Sequence, residues 1–429
     1  MSPLRHFTLF AITSSLAVTS AFAQTETKDQ TTDERLDKLE AENQELRQQI
    51  GAVADGLETF ELRDVIPQLG ESHTGLGPAA SKVYNLQSTG SVSIGGYGEF
   101  LYQDRQGGRD TFDAQRGVLY FGSKLSDKWI LNTEFEFEHG STSASSGSTP
   151  SGGSASLEFG YLDYMHSQGL NGRAGLLLVP MGFINERHEP TTYLAATRPQ
   201  TESRIIPSTW RELGIGIHGQ SDAMSYRLYT VNGLNGSQFD ASGLRSGRQK
   251  GNRAAADDMA VTGRMDFDIG SGVTIGGAFF HGNSSNGQEA MLGGSNLETL
   301  IFEVHAEVQS GPWHGRFLAA QADVDGVAAF NTATGENLAE RLEGSYVELG
   351  YDVLAGTDSG MSLSPYVRYE RIDTQASLPA GFAAMTGQDI DITTVGLNFK
   401  PTPQVVIKLD YDDFNVGSDR WNLLIGYIF

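Results

Sequence analysis

The sequence predicts an all-β transmembrane barrel: a 16-stranded antiparallel up-and-down β-barrel with an inward-folded third loop, preceded by a short α-helical coiled coil. Three observations predict it. Residues 91–429 carry apolar positions with a period of two, the signature of a strand with two unlike faces. The connections between these segments alternate short and long, as up-and-down barrels with short inner turns and long outer loops require and β-sandwiches do not. One connection, 181–211, is too long, too charged and too rich in proline to be a strand, yet strand-like segments flank it.

Taken in order, residues 1–23 read as a secretory signal. Arg5 and His6 precede an apolar run over 7–18, and Ala21-Phe22-Ala23 supplies small residues at the positions a signal peptidase reads, with cleavage before Gln24. The apolar core is too short for a transmembrane anchor. Residues 24–32 are polar and expected to be disordered.

Over 33–63, Leu36, Leu39, Asn43, Leu46, Ile50, Val53, Leu57 and Phe60 recur at steps of three and four, a heptad seam. Asn43 on that seam fixes register at a cost in stability, while Gly51 and Gly56 weaken the helix by about 1 kcal/mol each. So short a helix draws its stability from association, and a homotrimer is the expected state; the other reading is an amphipathic helix packed on its own chain. Residues 64–90, with Pro67, Gly70, Gly75, Gly77 and Pro78, read as an extended linker to a barrel over 91–429.

The sixteen candidate strands are 91–103, 114–125, 128–139, 156–167, 170–180, 212–221, 223–232, 258–269, 273–283, 298–309, 312–323, 341–354, 361–372, 389–400, 403–414 and 420–429. Trp129, Leu131, Phe135 and Phe137 alternate with Asn132, Glu134, Glu136 and Glu138, and Trp421, Leu423, Ile425, Tyr427 and Phe429 share one face of the last strand. A charge at mid-membrane on the lipid face costs about 2–4 kcal/mol for Arg or Lys, so the charged face points inward. The same parity turns Arg116, Arg173, Arg227, Arg264, Arg316, Arg368 and Lys408 into the lumen beside Glu99, Asp163, Asp266, Glu348 and Asp352. The loops at 324–340 and 373–388 read as surface loops.

The chain of 429 residues has 52 Gly, 22 Phe and no Cys, and a formal charge of -23 that argues against nucleic-acid partners. Its mean hydropathy of -0.28 excludes a bundle of membrane helices. Without cysteine neither a disulfide framework nor lipoprotein acylation is open to the mature chain. No cofactor or metal motif is read. Glu186, His188 and Glu189 form the nearest thing to an acid–base or metal cluster, but they lack the spacing of a zinc motif such as H-E-x-x-H.

Within 181–211, Arg187, Arg198, Arg204 and Arg211 are interleaved with Glu186, Glu189, Glu202 and Glu212 around Pro190, Pro199 and Pro207. Inside a closed barrel this stretch narrows and charges the bore; on the outside it is an ordinary solvated loop. The run Gly175-Leu176-Leu177-Leu178-Val179-Pro180-Met181-Gly182, followed by Glu202-Ser203-Arg204 and Arg211-Glu212-Leu213-Gly214-Ile215-Gly216, is similar to the third-loop region of the phosphate-selective porin O/P family. The signal, the sixteen strands and terminal Phe429 resemble trimeric bacterial porins generally, and the coiled coil resembles porins that take up dicarboxylates.

The resemblance implies passive diffusion of small hydrophilic solutes biased to anions by the loop arginines. Arg204 and Arg211 match the family pattern, and Arg187 and Arg198 match it less closely. It further implies insertion among outer-membrane lipids and delivery to the barrel-assembly machinery through Phe429. The chain departs from the phosphate-selective pattern in that glutamates accompany nearly every arginine. A structural or envelope-anchoring barrel, with the coiled coil as a spacer, is the alternative.

Overall fold

The computed structural model describes residues 32–58, 75–140, 142 and 152–429. Residues 1–31, read as a signal and the start of a polar stretch, and residues 59–74, with the seam position Phe60, lie outside the described residues. The chain forms two units, Met1–Glu61 and Leu62–Phe429.

In the first unit Thr32–Glu58 is one α-helix of 27 residues, α1. Leu36, Leu39, Leu46 and Ile50 are all more than half exposed on it.

The second unit is a closed barrel in which every strand pairs with its sequence neighbours and the first pairs with the last. Its strands begin with β1 (Val92–Arg105), β2 (Thr111–Lys124), β3 (Trp129–Glu138) and β4 (Ala155–Ser167). Next come β5 (Leu170–Leu178), β6 (Arg211–Gln220), β7 (Met224–Asn232) and β8 (Met259–Gly270). Then follow β9 (Val273–Gly282), β10 (Thr299–Ser310), β11 (Trp313–Val324) and β12 (Arg341–Tyr351). The last four are β13 (Ser362–Ser377), β14 (Asp389–Thr402), β15 (Val405–Phe414) and β16 (Arg420–Ile428). All sixteen segments read from the sequence are strands, with ends that move by a few residues.

Closure runs in register from Tyr97↔Ile428 to Gln103↔Asn422. It is completed by Phe429, whose backbone N–H donates to Gly96 at 2.9 Å and whose carbonyl accepts from the Gly96 N–H at 3.0 Å. Gly96 has to be glycine: a β-carbon there falls 2.3 Å from the Val118 carbonyl oxygen and 2.8 Å from the Phe429 ring.

The two faces separate as the parity predicts. On β10, Leu300, Phe302 and Val304 are exposed, whereas Ile301, Glu303, His305 and Glu307 are buried. An apolar exterior on a closed barrel leaves no unpaired strand edge, which is the condition for crossing lipid with strands. Aromatic pairs sit at the inner strand ends, Trp129 with Tyr164 at 5.1 Å and Trp313 with Tyr351 at 4.7 Å, as in the girdle of a membrane interface. No helix among the described residues is long and apolar enough to cross a membrane.

The interior departs from the sequence reading in two places. Residues 75–89, predicted to be an extended linker, form a strap inside the barrel, with a short helix α2 (Pro78–Ser81) and a 3-10 turn over Lys82–Asn85. Glycine on the wall makes the room: a β-carbon at Gly122 falls 2.5 Å from Val83. Polar wall groups hold the strap, with Asn132 Nδ2 donating to the Ala80 carbonyl at 2.9 Å and Tyr84 Oη donating to Asp163 at 2.6 Å. Proline and glycine in this stretch mark a turn buried against the wall, not a spacer.

The second difference is a dry region. On the β6–β14 side the outer loops fold over the bore and bury Leu234, Phe239, Leu244, Leu297 and Phe330 against Val231, Phe280, Ile301 and Leu318. The connection at 324–340, read as a surface loop, holds a helix α3 (Val327–Thr334) with Val327 and Phe330 fully buried. The bore is therefore not a uniform water-filled cylinder.

Candidate functional site

The third outer loop, residues 179–210, lies inside the barrel and is buried over most of its length. Its base is closed by Asn185, whose Nδ2 donates to the Val179 and Trp210 carbonyls at 2.7 and 2.8 Å and whose Oδ1 accepts from Trp210 N–H at 2.7 Å. At its near end Gly182 takes a φ of 67°, and its carbonyl accepts from Arg264.

The loop then crosses to the opposite wall. Arg316 donates to the Thr192 carbonyl at 2.7 Å, Asn398 to Leu194 at 2.9 Å, Lys408 to Ala195 at 2.9 Å and Arg368 to Thr197 at 3.0 Å. Asp410 accepts the Ala196 N–H at 2.6 Å, and Glu370 accepts the Thr201 N–H. On the return, Glu202 ties the loop to itself through Ile184 N–H at 2.7 Å and to the wall through Tyr346 Oη at 2.6 Å.

These anchors come from β11 to β15, so the loop spans the bore from its root between β5 and β6. Proline and glycine in the sequence mark the loop; the polar residues that catch its backbone were legible only as inward parity.

The side chains of the wall arginines and Lys408 are buried and engaged by protein. Arg116 pairs with Glu99 at 2.7 Å, Arg264 with Asp266 at 2.9 Å, Arg316 with Glu307 at 2.8 Å and Arg368 with Glu348 at 3.8 Å. Arg173 pairs with Asp163 at 2.7 Å, and Arg227 bridges Asp266 at 2.6 Å and Glu186 at 3.2 Å. Lys408, fully buried, lies 3.5 Å from the centre of the Tyr193 ring.

The loop arginines are dispersed, not gathered in one ring, because the loop crosses the bore rather than circling it. Arg187 pairs with Glu307 at 2.9 Å and borders an inner cavity of about 560 Å³ that also touches His314, Asp352 and Lys400. Arg198 donates to the His188 carbonyl at 3.3 Å, and no carboxylate pairs with it among the described residues. Arg204 donates to Gln200 at 3.3 Å and borders an outer cavity of about 890 Å³ together with Arg105, Arg109, Asp110 and Arg420. Arg211 opens β6, is buried, and pairs with Glu158 at 2.5 Å. Asp352, expected in the lumen wall, sits in the inner turn after β12, where it accepts the Leu354 and Leu363 N–H groups at 3.0 Å.

Glu186, His188 and Glu189 do not converge. Glu186 turns to Arg227, and His188 to Glu134 at 3.1 Å. Glu189 lies against the strap, where a β-carbon on Gly77 falls 1.8 Å from its carboxylate. Burial alone lowers the His188 pKa, but the Glu134 carboxylate outweighs it and holds the imidazole up at about 9. Burial raises Glu189 to about 6.

Sequence reasoning passed over two further arginines, Arg245 and Arg248, in the connection between β7 and β8. Arg248 Nη1 donates to the Thr209 carbonyl at 2.8 Å and to Thr209 Oγ1 at 2.7 Å, and Arg245 Nη2 donates to the same hydroxyl at 2.9 Å. The basic run through Arg245, Arg248, Lys250 and Arg253 was the available signal.

No family model matches the chain, so the narrower likeness to phosphate-selective porins rests on the loop motif alone. An uncharacterized protein of Aquifex aeolicus (strain VF5) is 36% identical over 378 residues, covering 84% of this chain and 84% of that one. The chain belongs to that protein's family. Among solved structures, Salmonella typhi OmpF in complex with daunomycin matches with a TM-score of 0.55 at 12% identity, over 79% of this chain and 98% of that one. A loop L8 deletion mutant of OmpT, an outer membrane protein of Vibrio cholerae, matches with a TM-score of 0.51 at 11% identity, over 80% and 100%. Both are similar to this chain in fold.

Proposed function

We propose that the chain is an outer-membrane channel for passive diffusion of small hydrophilic solutes, biased to anions such as phosphate or carboxylates. The observation that carries the reading is a lipid-faced barrel whose third loop crosses the bore and brings guanidinium groups with it. Arg198 and Arg204 take only neutral oxygens from the protein, so their charge remains for a passing anion, while Arg187 and Arg211 add partly neutralised charge. A unit pair at about 4 Å gains about 4 kcal/mol at an effective dielectric of 20, and offset by desolvation this gives the weak, fast binding that conduction needs. No step of this reading calls for enzymatic chemistry.

In the same reading the signal sequence delivers the chain across the inner membrane. Phe429 presents the barrel to the assembly machinery, outer-membrane lipids surround it, and three copies associate with the α1 stripes buried against one another. A closed structural barrel that anchors the envelope through α1 is the second reading, and the apolar packing of the outer loops on the β6–β14 side favours it.

Planar-bilayer recordings decide between them. The channel reading expects ohmic conductance, anion-selective reversal potentials, and a shift towards cations of several millivolts or more in the Arg198→Gln/Arg204→Gln variant. Absence of conductance from correctly folded protein would leave the anchoring barrel. Cation selectivity that the variant leaves unmoved would remove the anion bias.

A further inference from the structure

Arg245 and Arg248 converge on one short piece of backbone, Ser208–Thr209, at the outer end of the inward loop. Every acceptor they find there is neutral: two carbonyls and a hydroxyl. Among the described residues neither makes an ion pair, and Arg248 Nη2 and Arg245 Nε have no protein acceptor. The carboxylates nearest to them are engaged elsewhere. Glu158 pairs with Arg211, Glu138 accepts from Ser154, and Glu212 accepts from Trp210, Asn232 and the Gln249 N–H.

The pair is therefore partly desolvated, and the carboxylates of Glu138, Glu158 and Glu212 offset that only in part. Burial brings Arg245 down to about 10 and Arg248 down to about 9; repulsion from Arg198 adds to the first, and repulsion from Arg245 and Arg211 to the second. Burial likewise lowers Lys250, and the three arginines beside it add to the effect. Thr209, the residue the two forks hold, has a φ of 51°, an uncommon conformation for a β-branched side chain. Strain maintained by converging charged donors is a feature of ligand sites, and guanidinium forks match the geometry of oxyanions.

We propose that Arg245 and Arg248, backed by Arg211 and Lys250, form a binding station for a small oxyanion, phosphate or a dicarboxylate, at the outer end of the third loop. This deepens the anion reading above and places the tightest contact on the fourth outer loop. The occupant supplies the negative charge the protein omits, and its oxygens take the unused N–H donors.

The test is titration calorimetry on the detergent-solubilised full-length protein with sodium phosphate and, separately, sodium succinate at constant chloride. The station predicts that Arg245→Gln/Arg248→Gln weakens binding of at least one of the two at least tenfold. The Arg245→Lys/Arg248→Lys variant, which keeps the charge and a donor for Ser208, retains folding and loses part of the affinity. Unchanged affinity for both anions in the glutamine variant overturns the station, as does full retention in the lysine variant should the glutamine variant not fold. No heat from wild-type protein with either anion overturns it as well. Reversal potentials on the same proteins separate the two ideas: a cation-selective channel whose phosphate binding still vanishes in the variant keeps the station and discards the anion-biased conduction.

Discussion

The barrel wall and the loops folded inside it carry the same side chain under opposite conditions. On the wall, each inward arginine described has a carboxylate within 4 Å, so burial is offset by a partner set at fixed register on the same or the next strand. Arg368 and Glu348, for instance, are cross-strand partners in the β12–β13 register. On the loops, Arg198, Arg204, Arg245 and Arg248 bond to carbonyls, an amide and a hydroxyl, which orient the guanidinium and leave its charge unbalanced. A net charge of -23 thus says little about the field in the bore, because each wall arginine is neutralised by a neighbouring carboxylate while these loop arginines are not.

The largest expected effect comes from breaking a wall pair. Arg264→Ala leaves Asp266 and Glu303 buried beside His305 and removes the donor to Gly182, and loss of one partner of a buried pair costs about 3–5 kcal/mol. Urea unfolding in detergent micelles reads this as a lower midpoint. An unchanged midpoint would mean that the wall pairs contribute nothing and that the contrast with the loops is illusory.

Next in size is a pH dependence within the third loop. The His188 pKa rises from 6.5 to about 9 in the folded protein, so the His188–Glu134 contact contributes fully below about pH 6.5 and is lost as pH climbs through 9. The free energy at stake is roughly 3 kcal/mol at 1.36 kcal/mol per unit. Glu189, raised to about 6, acts in the same direction at lower pH: its contribution is present below 4.5 and lost as pH rises through 6. Unfolding free energy should fall between pH 6 and pH 9.5 in the wild type, and the fall should be smaller in His188→Gln.

The smallest effect falls on a loop arginine. Arg204→Gln should change stability by less than about 1 kcal/mol, since it gives up one hydrogen bond to a neutral amide. A loss as large as that of Arg264→Ala would place Arg204 with the wall residues and erase the comparison.

Much of the fold was legible because strands crossing lipid obey one rule of parity, and the sequence of β3 or β10 states it without ambiguity. The inward loop was legible for a different reason: proline and charge exclude 181–210 from the ladder. What escaped was everything that depends on which surfaces meet. The strap at 75–89 has the composition of a linker, and only the small wall residue Gly122 shows that something lies against it. The buried helix after β11 reads as a polar loop until Phe330 finds Leu338 and the neighbouring outer loops. Arg187 and Arg204 belong to one motif by sequence and to opposite cavities in space, because a chain that crosses a bore has a near side and a far side.

The tethering of the third loop bears on how a current through this barrel would behave in time. Its backbone is caught at Thr192, Leu194, Ala195, Ala196 and Thr197 by five different wall side chains. To swing aside under an applied voltage it would have to release all of them together, so single-channel records should be quiet at moderate potentials, and any flicker should arise in the outer loops.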